Sequence, residues 1–203
     1  MYNRTAAPLD LSGYHLTERQ SDPLLWAFPE NTIIPAGGYL VVYADRLNIT
    51  NPALDETGRL HTNFKLDVSG EYLALTSPSG VVVDKYDPGY PTQRADVSYG
   101  IAGDGKAGYL LAATPAEANP AAYPGVVADT SFSVDRGFFS ESFQVTITTL
   151  TPGATIRYTL DGSTPDTTKG STYSGPITVS TTTVLKAAAF KADLLPSHVD
   201  AQT

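Results

Sequence analysis

The sequence predicts an all-β fold in two units, and three observations support this prediction. Only 17% of the 203 residues are charged, and 17 glycines and 15 prolines stand among many Thr, Ser, Val and Tyr residues, which is typical of short strands joined by turns. Helical periodicity is almost absent along the chain. A chain of 203 residues forms one large all-β domain or two small ones, and the Ala- and Pro-rich stretch at 112–128 indicates a linker between two.

Charge and cysteine content exclude several classes of function. The net charge is −8, with 13 basic and 21 acidic residues, so the chain as a whole has no electrostatic reason to bind nucleic acid or an anionic membrane. The absence of cysteine excludes disulfides, thiolate catalysis and Cys-ligated metal sites. No apolar run approaches the roughly 20 residues that span a bilayer, so we expect no membrane insertion. We expect no cofactor either.

Four segments of the first half have the composition of strands, because each is rich in β-branched, aromatic or aliphatic residues and is bounded by Gly, Pro, Asn or Ser. The turn sequence SPSG leads directly into VVVDKY, which predicts a hairpin over residues 71–86. The four segments are Leu11–Leu16, Tyr39–Ala44, Glu71–Thr76 and Val81–Tyr86.

The second half alternates apolar and polar residues with a period of two, in FQVTITT and again in TIRYTL. This period predicts strands with one buried face, and LTPGA between them predicts a Pro-Gly turn. The side chains expected to point inward are Phe143, Val145, Ile147, Ile156, Tyr158 and Leu160.

The segment VLKAAAFKA at 184–192 carries conflicting signals. Its residues are strong helix formers, so propensity by itself predicts a helix. It follows TVSTTT, which disfavours a helix, and it stands at the end of an all-β run. We therefore predict a strand.

The first half carries a series of motifs in a specific order. These are YNRTAAPLDLSGYHL, LLWAFPENTIIPAGGYLVVYA and FKLDVSGEYLALTSPSGVVVDKY, followed by SYG and TPAEAN. Through them, residues 2–119 resemble the lamin tail domain in its bacterial, exported form. The strand that usually opens this family is missing here, so we expect the sequence to begin inside a longer protein.

The second half carries ATIRYTLDGSTPD, STYSGPITV and TTTVLKAAAFKADLLPS. With these motifs, residues 129–203 resemble the small C-terminal β-sandwich of chitobiase and β-hexosaminidase, and the match also favours a strand at 184–190. The two resemblances imply an immunoglobulin-like β-sandwich for each half. The predicted domains are 1–119 and 129–203, with 120–128 as the linker.

The resemblances also imply a function, because neither family is catalytic and both are usually appended to larger bacterial proteins that are secreted or lie at the cell surface. We therefore expect a non-catalytic adhesion, spacer or attachment segment, not an enzyme, whose partner is the remainder of a longer parent polypeptide. One alternative is a carbohydrate-binding accessory module that holds a parent hydrolase near polysaccharide. Others are a module that binds a surface protein through strand edges, and a calcium-stabilised spacer.

The stretch YTLDGSTPD at 158–166 permits two interpretations. Asp161, Ser163 and Asp166 supply hard oxygen atoms of the kind that bind calcium. The alternative, which we favour, is a turn in which Asp161 bonds a backbone N–H two residues on and Gly162 adopts a positive φ. The alternating acids and late glutamate of an EF-hand are absent.

The stretch YDPGYPTQRADVSYG has the composition of a binding loop, with tyrosines among polar residues. The alternative, which we favour, is an ordered loop whose tyrosines cover the end of a sandwich. If the loop binds a ligand, the candidate contacts are Tyr86, Asp87, Tyr90, Gln93 and Arg94.

The remaining chemical residues suggest no site. Trp26 stands among Leu24, Leu25 and Phe28 and is predicted to lie in the core, although an isolated Trp is also a possible sugar platform. The three histidines have no metal-ligand spacing, so we expect surface or half-buried positions for them. They are His15, His61 and His198.

Overall fold

The structure is a computed structural model that describes residues 1–203, and the chain forms two compact units. Unit 1 contains residues 1–99 and 112–119, and unit 2 contains residues 100–111 and 120–203. The predicted all-β class is confirmed, since the only helical element is a single 3-10 turn at Pro52–Leu54. No helix has the length and apolar character needed to cross a membrane.

Unit 1 is built from short strands in three sheets. A four-stranded antiparallel sheet has the order β3-β2-β7-β8, β1 pairs with β4, and β5 lies parallel to β6. The strands are β1 (Leu9–Asp10), β2 (His15–Thr17), β3 (Trp26–Ala27), β4 (Ile33–Ile34), β5 (Val42–Tyr43), β6 (Leu60–His61), β7 (Leu73–Thr76) and β8 (Val82–Tyr86).

The predicted hairpin over 71–86 is confirmed, because β7 and β8 pair antiparallel. The continuous strand predicted for Leu11–Leu16 is wrong at its beginning. Gly13 has a φ of 72°, and the N–H of Tyr14 donates to the carbonyl of Leu11 over 2.9 Å. These two features make a tight turn, so the chain reverses before β2 starts at His15.

The core of unit 1 is a cluster of large apolar side chains from the short strands and from the loops next to them. Trp26 is 2% exposed, and its ring meets that of Phe28 edge-on at 5.0 Å, so the predicted core position of Trp26 is confirmed. Burial of such a side chain stabilises the fold by roughly 1.5–3 kcal/mol. The cluster consists of Leu11, Trp26, Phe28, Ile34, Leu60 and Phe64.

Unit 2 contains a four-stranded antiparallel sheet of order β16-β15-β18-β19, the pairs β12-β14 and β13-β17, and the sheet β11-β10-β9. Strand β9 (Ser98–Ile101) begins in unit 1 and ends in unit 2. The others are β10 (Ala107–Leu110), β11 (Ala122–Tyr123), β12 (Thr130–Phe132), β13 (Phe143–Val145), β14 (Ile147–Thr149), β15 (Thr155–Thr159), β16 (Ser171–Thr172), β17 (Ile177–Val179), β18 (Leu185–Phe190) and β19 (Asp200–Gln202).

The stretch at 112–128 is more ordered than its composition suggests. Its residues 122–123 form β11, which pairs with β10 through Tyr109 opposite Tyr123. Residues 100–111, which the sequence assigned to the first domain, lie in unit 2. Pairing of β11 with an earlier strand explains this, because it ties 107–110 to the chain that follows the linker.

The period-two alternation is confirmed in part. Val145 and Ile147 are buried as expected, yet they belong to two strands of different sheets, since β13 pairs with β17 and β14 with β12. The inward position predicted for Leu160 is wrong, because β15 ends at Thr159 and Leu160 begins the following turn, 45% exposed.

The strand predicted at 184–190 is confirmed as β18, which pairs with β15 on one side and β19 on the other. Its three consecutive alanines, 187–189, are 0–1% exposed, so small side chains are needed on both faces of this strand. Tertiary packing outweighs the helix propensity of alanine here. The surrounding core consists of Val127, Val145, Ile147, Ile156, Ile177, Leu185, Ala187 and Ala189.

Candidate functional site

The loop that follows β8 is bound along its length to the loop before β7. The N–H of Tyr90 donates to the carbonyl of Glu71 over 3.0 Å, and the N–H of Gln93 donates to the carbonyl of Val68 over 2.7 Å. Gly70 has a φ of 90°, and a Cβ at this position would lie 2.3 Å from the carbonyl oxygen of Tyr90. The two backbones therefore touch at Gly70, which leaves no space for a ligand between them.

Tyr90 lies inside this contact and is 7% exposed. Its hydroxyl donates to the carbonyl of Asp67 over 2.9 Å and also lies 3.0 Å from Oε1 of Glu71. Burial, followed by the hydrogen bond to Glu71, raises the pKa of Tyr90. Tyr90 is therefore not an exposed residue of this loop, because packing covers its ring and the two loops engage its hydroxyl.

The other predicted contacts of this loop are placed as follows. Tyr86 is half-buried, with its ring 6.3 Å from that of Tyr90 and 5.9 Å from that of Tyr99. Asp87 is exposed and forms an ion pair with Lys85 at 2.5 Å. The tyrosines thus pack against one another, as expected for a loop that covers the end of a sheet.

Gln93 and Arg94 belong to the same loop that follows β8. The amide nitrogen Nε2 of Gln93 donates to the carbonyl of Pro91 over 2.6 Å. The carbonyl of Arg94 accepts from the N–H of Val97 over 3.3 Å, which closes a small turn. A ligand-binding role for the five candidates stays a prediction, and of the five only Asp87 is exposed.

In the stretch at 158–166, β15 ends at Thr159, and the residues that follow form a turn whose side chains bond to one another. Oδ1 of Asp161 accepts from the N–H of Ser163 over 3.0 Å and from its hydroxyl over 2.6 Å. These hydrogen bonds lower the pKa of Asp161, the hydroxyl contributing most. Gly162 has a φ of 76°, as predicted for the turn.

Asp166 behaves in the same way one turn later. Its Oδ1 accepts from the N–H of Thr168 and from that of Lys169, each over 2.7 Å, and these bonds lower the pKa of Asp166. No group of three or more His, Asp or Glu side chains is arranged to hold a metal ion. A calcium-binding role for Asp161 and Asp166 stays a prediction.

A buried histidine lies between two carboxylates in unit 1, which the sequence did not predict. His61 is 5% exposed, so the expected surface or half-buried position is wrong for it. Its Nδ1 lies 2.7 Å from Oδ2 of Asp45, and its Nε2 lies 3.3 Å from Oδ1 of Asp55, a contact without hydrogen-bond alignment. The hydrogen bond to Asp45, opposed by burial, raises the pKa of His61.

Asp55 also organises the loop that precedes β6. It accepts from the hydroxyl of Thr57 and from the N–H of Arg59, and these bonds hold its pKa at about 2. Because each ring nitrogen of His61 faces a carboxylate, the imidazole has no nitrogen available to a substrate. The arrangement is a structural clamp on residues 45–61.

An open pocket of about 460 Å³ lies beside this loop in unit 1. Its lining combines charged, amide and apolar side chains from four segments of the chain. Sequence patterns do not show it, because the segments are separated by other strands. The lining consists of residues 29–33, 40–41, 50–52 and 58–60.

Two strand edges are relevant to partner binding. At the β8 edge, the N–H of Lys85 already donates to Oδ1 of Asp84 over 2.9 Å. At the β19 edge, Oδ2 of Asp200 accepts from Thr130 and Oε1 of Gln202 accepts from the N–H of Arg136. Charged residues and side-chain bonds at an edge discourage the addition of another strand.

Comparison with protein families gives two matches in the predicted order. The Lamin Tail Domain model matches residues 1–89, and the Chitobiase/beta-hexosaminidase C-terminal domain model matches residues 134–200. Both resemblances are confirmed over these ranges, and both families are non-catalytic immunoglobulin-like modules, which confirms the predicted fold class. Comparisons with curated proteins and with solved structures found no match.

Proposed function

We propose that this chain is a spacer or attachment segment that joins other parts of a longer, secreted or surface-attached bacterial polypeptide. The two family matches support a non-catalytic role. The proposal rests mainly on one observation: many loops are fixed by hydrogen bonds to Asp and Asn side chains of the same loop.

At nine positions an Asp or Asn side chain accepts a hydrogen bond from the backbone N–H two residues later. Each bond fixes a turn without help from a ligand, and each satisfies a polar group that would otherwise be available for one. The nine are Asn3, Asp10, Asp45, Asn51, Asp55, Asp67, Asp104, Asp161 and Asp166.

Arg157 in unit 2 is a second example of a side chain that fixes a loop of its own unit. Its guanidinium donates to the carbonyl of Thr168 over 2.6 Å and to that of Gly170 over 2.7 Å, and it also reaches the hydroxyl of Thr172 over 3.3 Å. One side chain therefore holds the whole 168–172 loop against β15. Loops fixed in this way resist local opening, which is what a spacer requires.

The experiment is mechanical and uses the whole chain. We would tether residues 1–203 by the two termini in an optical trap and record extension under force. A spacer is expected to lengthen in discrete, cooperative unfolding steps, because each core must break as a unit. Gradual extension at low force would contradict the proposal. Limited proteolysis provides a second readout, and a spacer should resist cleavage at the nine turns.

A further inference from the structure

The pocket of unit 1 departs from the pattern of self-satisfied loops. Glu30 and Arg59 both line it, and neither side chain has a hydrogen bond or ion pair with the protein. The side chain of Asn31 likewise has no protein partner. Only its backbone is held, because its N–H donates to the hydroxyl of Ser12 over 2.8 Å. A cation, an anion and an amide thus face one concave space without neutralising one another.

The walls of the pocket are fixed before any ligand arrives. On one side, the hydroxyl of Thr32 donates to the carbonyl of Pro29 over 2.7 Å. On the other side, Asn51 caps the 3-10 turn by accepting from the N–H of Ala53 over 3.1 Å. The N–H of Arg59 donates to Asp55 over 2.9 Å. Preformed walls reduce the entropy that binding would cost.

The buried contact of His61 with Asp45 and Asp55 fixes the loop that forms one wall of the pocket. His61 follows Arg59 by two residues and contacts both Asp45 and Asp55, the two ends of the loop that carries Asn51. His61 is therefore a positioning residue, since it holds the loop without lining the pocket.

The chemistry of the lining specifies a class of ligand. Ile33 and Pro52 offer apolar surface, while Arg59 offers donors and Glu30 offers acceptors within the same space. We propose that this pocket binds one ring of a neutral saccharide, with its C–H face on the apolar residues and its hydroxyls on the charged and amide groups. The volume of about 460 Å³ lies in the range of roughly 300–1,000 Å³ typical of small-molecule sites.

Charge distinguishes this ligand from an acidic one. Glu30 lines the same pocket as Arg59, and the chain carries a net charge of −8, so an anionic ring would meet repulsion that a neutral one avoids. The proposal goes beyond the spacer function, which requires no ligand, so the failure of one does not affect the other.

The test follows the backbone amides of the full ¹⁵N-labelled chain by NMR during titration with cellopentaose, chitopentaose, pentagalacturonate and glucose. A neutral pentasaccharide is expected to shift amides at 29–33 and 50–60. A response to glucose as well would assign a single ring as the recognised unit, and a response to the pentasaccharides alone would assign a ring within a chain.

Two variants test the assigned contacts. Arg59→Ala keeps the backbone N–H that bonds Asp55, and it is expected to raise the Kd about tenfold or more through loss of hydrogen bonds to the guanidinium. Glu30→Gln keeps the size of the exposed side chain and is expected to weaken binding as well. Arg4→Ala, an exposed arginine of unit 1 outside the pocket, is the matched control and should leave the Kd unchanged.

Three results would overturn the proposal. The first is the absence of shifts at 29–33 and 50–60 with both neutral pentasaccharides. The second is tighter binding of pentagalacturonate than of either neutral sugar. The third is an unchanged Kd in Arg59→Ala when its spectrum outside the pocket matches that of the unmodified chain.

Discussion

The loop at 161–169 in unit 2 and the pocket of unit 1 contain similar residues but use them differently. In the loop, Asp161 and Asp166 accept hydrogen bonds from their own turns. In the pocket, Glu30 and Arg59 line the same space, and their side chains bond nothing in the protein. The loop has the more site-like sequence, yet its two carboxylates are bonded within the loop, whereas the carboxylate and the guanidinium of the pocket have no protein partner. Satisfaction of polar groups, and not their density, therefore separates a turn from a candidate site.

The largest effect is expected from Gly70→Ala. A Cβ at Gly70 would meet the carbonyl of Tyr90 at 2.3 Å, and the φ of 90° is unfavourable for alanine. The two loops must then separate, which should lower the free energy of unfolding by at least about 2 kcal/mol. Urea denaturation measures this change. Gly37→Ala is the control, because its φ of 64° carries similar backbone strain with open space around the Cβ. Equal losses of unfolding free energy in the two variants would show that the close contact between Gly70 and Tyr90 is not the cause.

Arg157→Ala tests whether the loop of unit 2 is held by its own hydrogen bonds. The substitution leaves the carbonyls of Thr168 and Gly170 without their donor, so we expect a loss of about 1–3 kcal/mol in the free energy of unfolding. The measurement is again urea denaturation, with Arg136→Ala as the control, because only its backbone is bonded, to Gln202. A loss equal to that of the control would show that the guanidinium does not hold the loop.

Asp161→Ala removes one turn bond from the same loop. We expect a loss of about 1 kcal/mol, because Ser163 loses the acceptor for both its N–H and its hydroxyl. The unmodified chain should show the same melting temperature with and without EDTA, since a calcium-stabilised loop would melt earlier without the ion. A clear decrease with EDTA that Asp161→Ala abolishes would support the calcium hypothesis instead.

The clamp behind the pocket predicts a smaller, pH-dependent effect. The pKa of His61 is raised in the folded chain, so its contribution to stability is fully present below its ordinary pKa of 6.5 and is lost as the pH rises through the raised value. Asp55 has a lowered pKa of about 2, so its contribution is present above its ordinary 3.8 and is lost as the pH falls towards 2. The groups that face the ring are Asp45, Asp55 and the half-exposed ring of Tyr43.

The measurement is the free energy of unfolding from pH 5 to 9 for the unmodified chain and for His61→Gln. Only the unmodified chain should lose stability between pH 6.5 and the raised pKa of His61. His198→Gln is the control, because His198 is half-exposed and its Nδ1 lies farther from a carboxylate, 3.4 Å from Oδ2 of Asp129. Identical pH profiles for the unmodified chain and His61→Gln would show that the histidine stays neutral.

Arg59→Ala should have the smallest effect on stability. Its guanidinium bonds nothing in the protein, and alanine retains the N–H that Asp55 accepts, so the free energy of unfolding should change by at most about 0.5 kcal/mol. Urea denaturation of Arg59→Ala and Arg157→Ala in parallel compares two arginines, one in the pocket and one that bonds the loop of unit 2. A loss as large as that of Arg157→Ala would mean that Arg59 is structural.

Much of the fold was predictable from local patterns. The 71–86 hairpin follows from a turn sequence between two strand-forming runs, and the buried Trp26 follows from its apolar neighbours. The failures have local causes that sequence patterns report weakly. Leu160 continues an alternating pattern past the point where β15 ends, and residues 11–14 turn back inside what resembles a strand.

The candidate site was less predictable. The stretch around Tyr90 has the composition of a binding loop, yet its tyrosines meet one another and the 67–71 loop. The pocket joins residues 29–33 to residues 50–60, and His61 joins Asp45 to Asp55. No short-range pattern contains these pairs, because they depend on how strands between them are paired.

The sequence by itself determined the all-β class, the order of two immunoglobulin-like modules and the turn at Asp161 and Gly162. These properties depend on side-chain alternation, on Gly and Asp at turns and on motif order, which act over a few residues. Only the tertiary structure decided that Tyr90 is buried, that His61 lies between two carboxylates and that Glu30 and Arg59 share a pocket. The physical reason is that burial and charge pairing depend on which distant segments meet, and that is fixed only when the strands pair and the cores close.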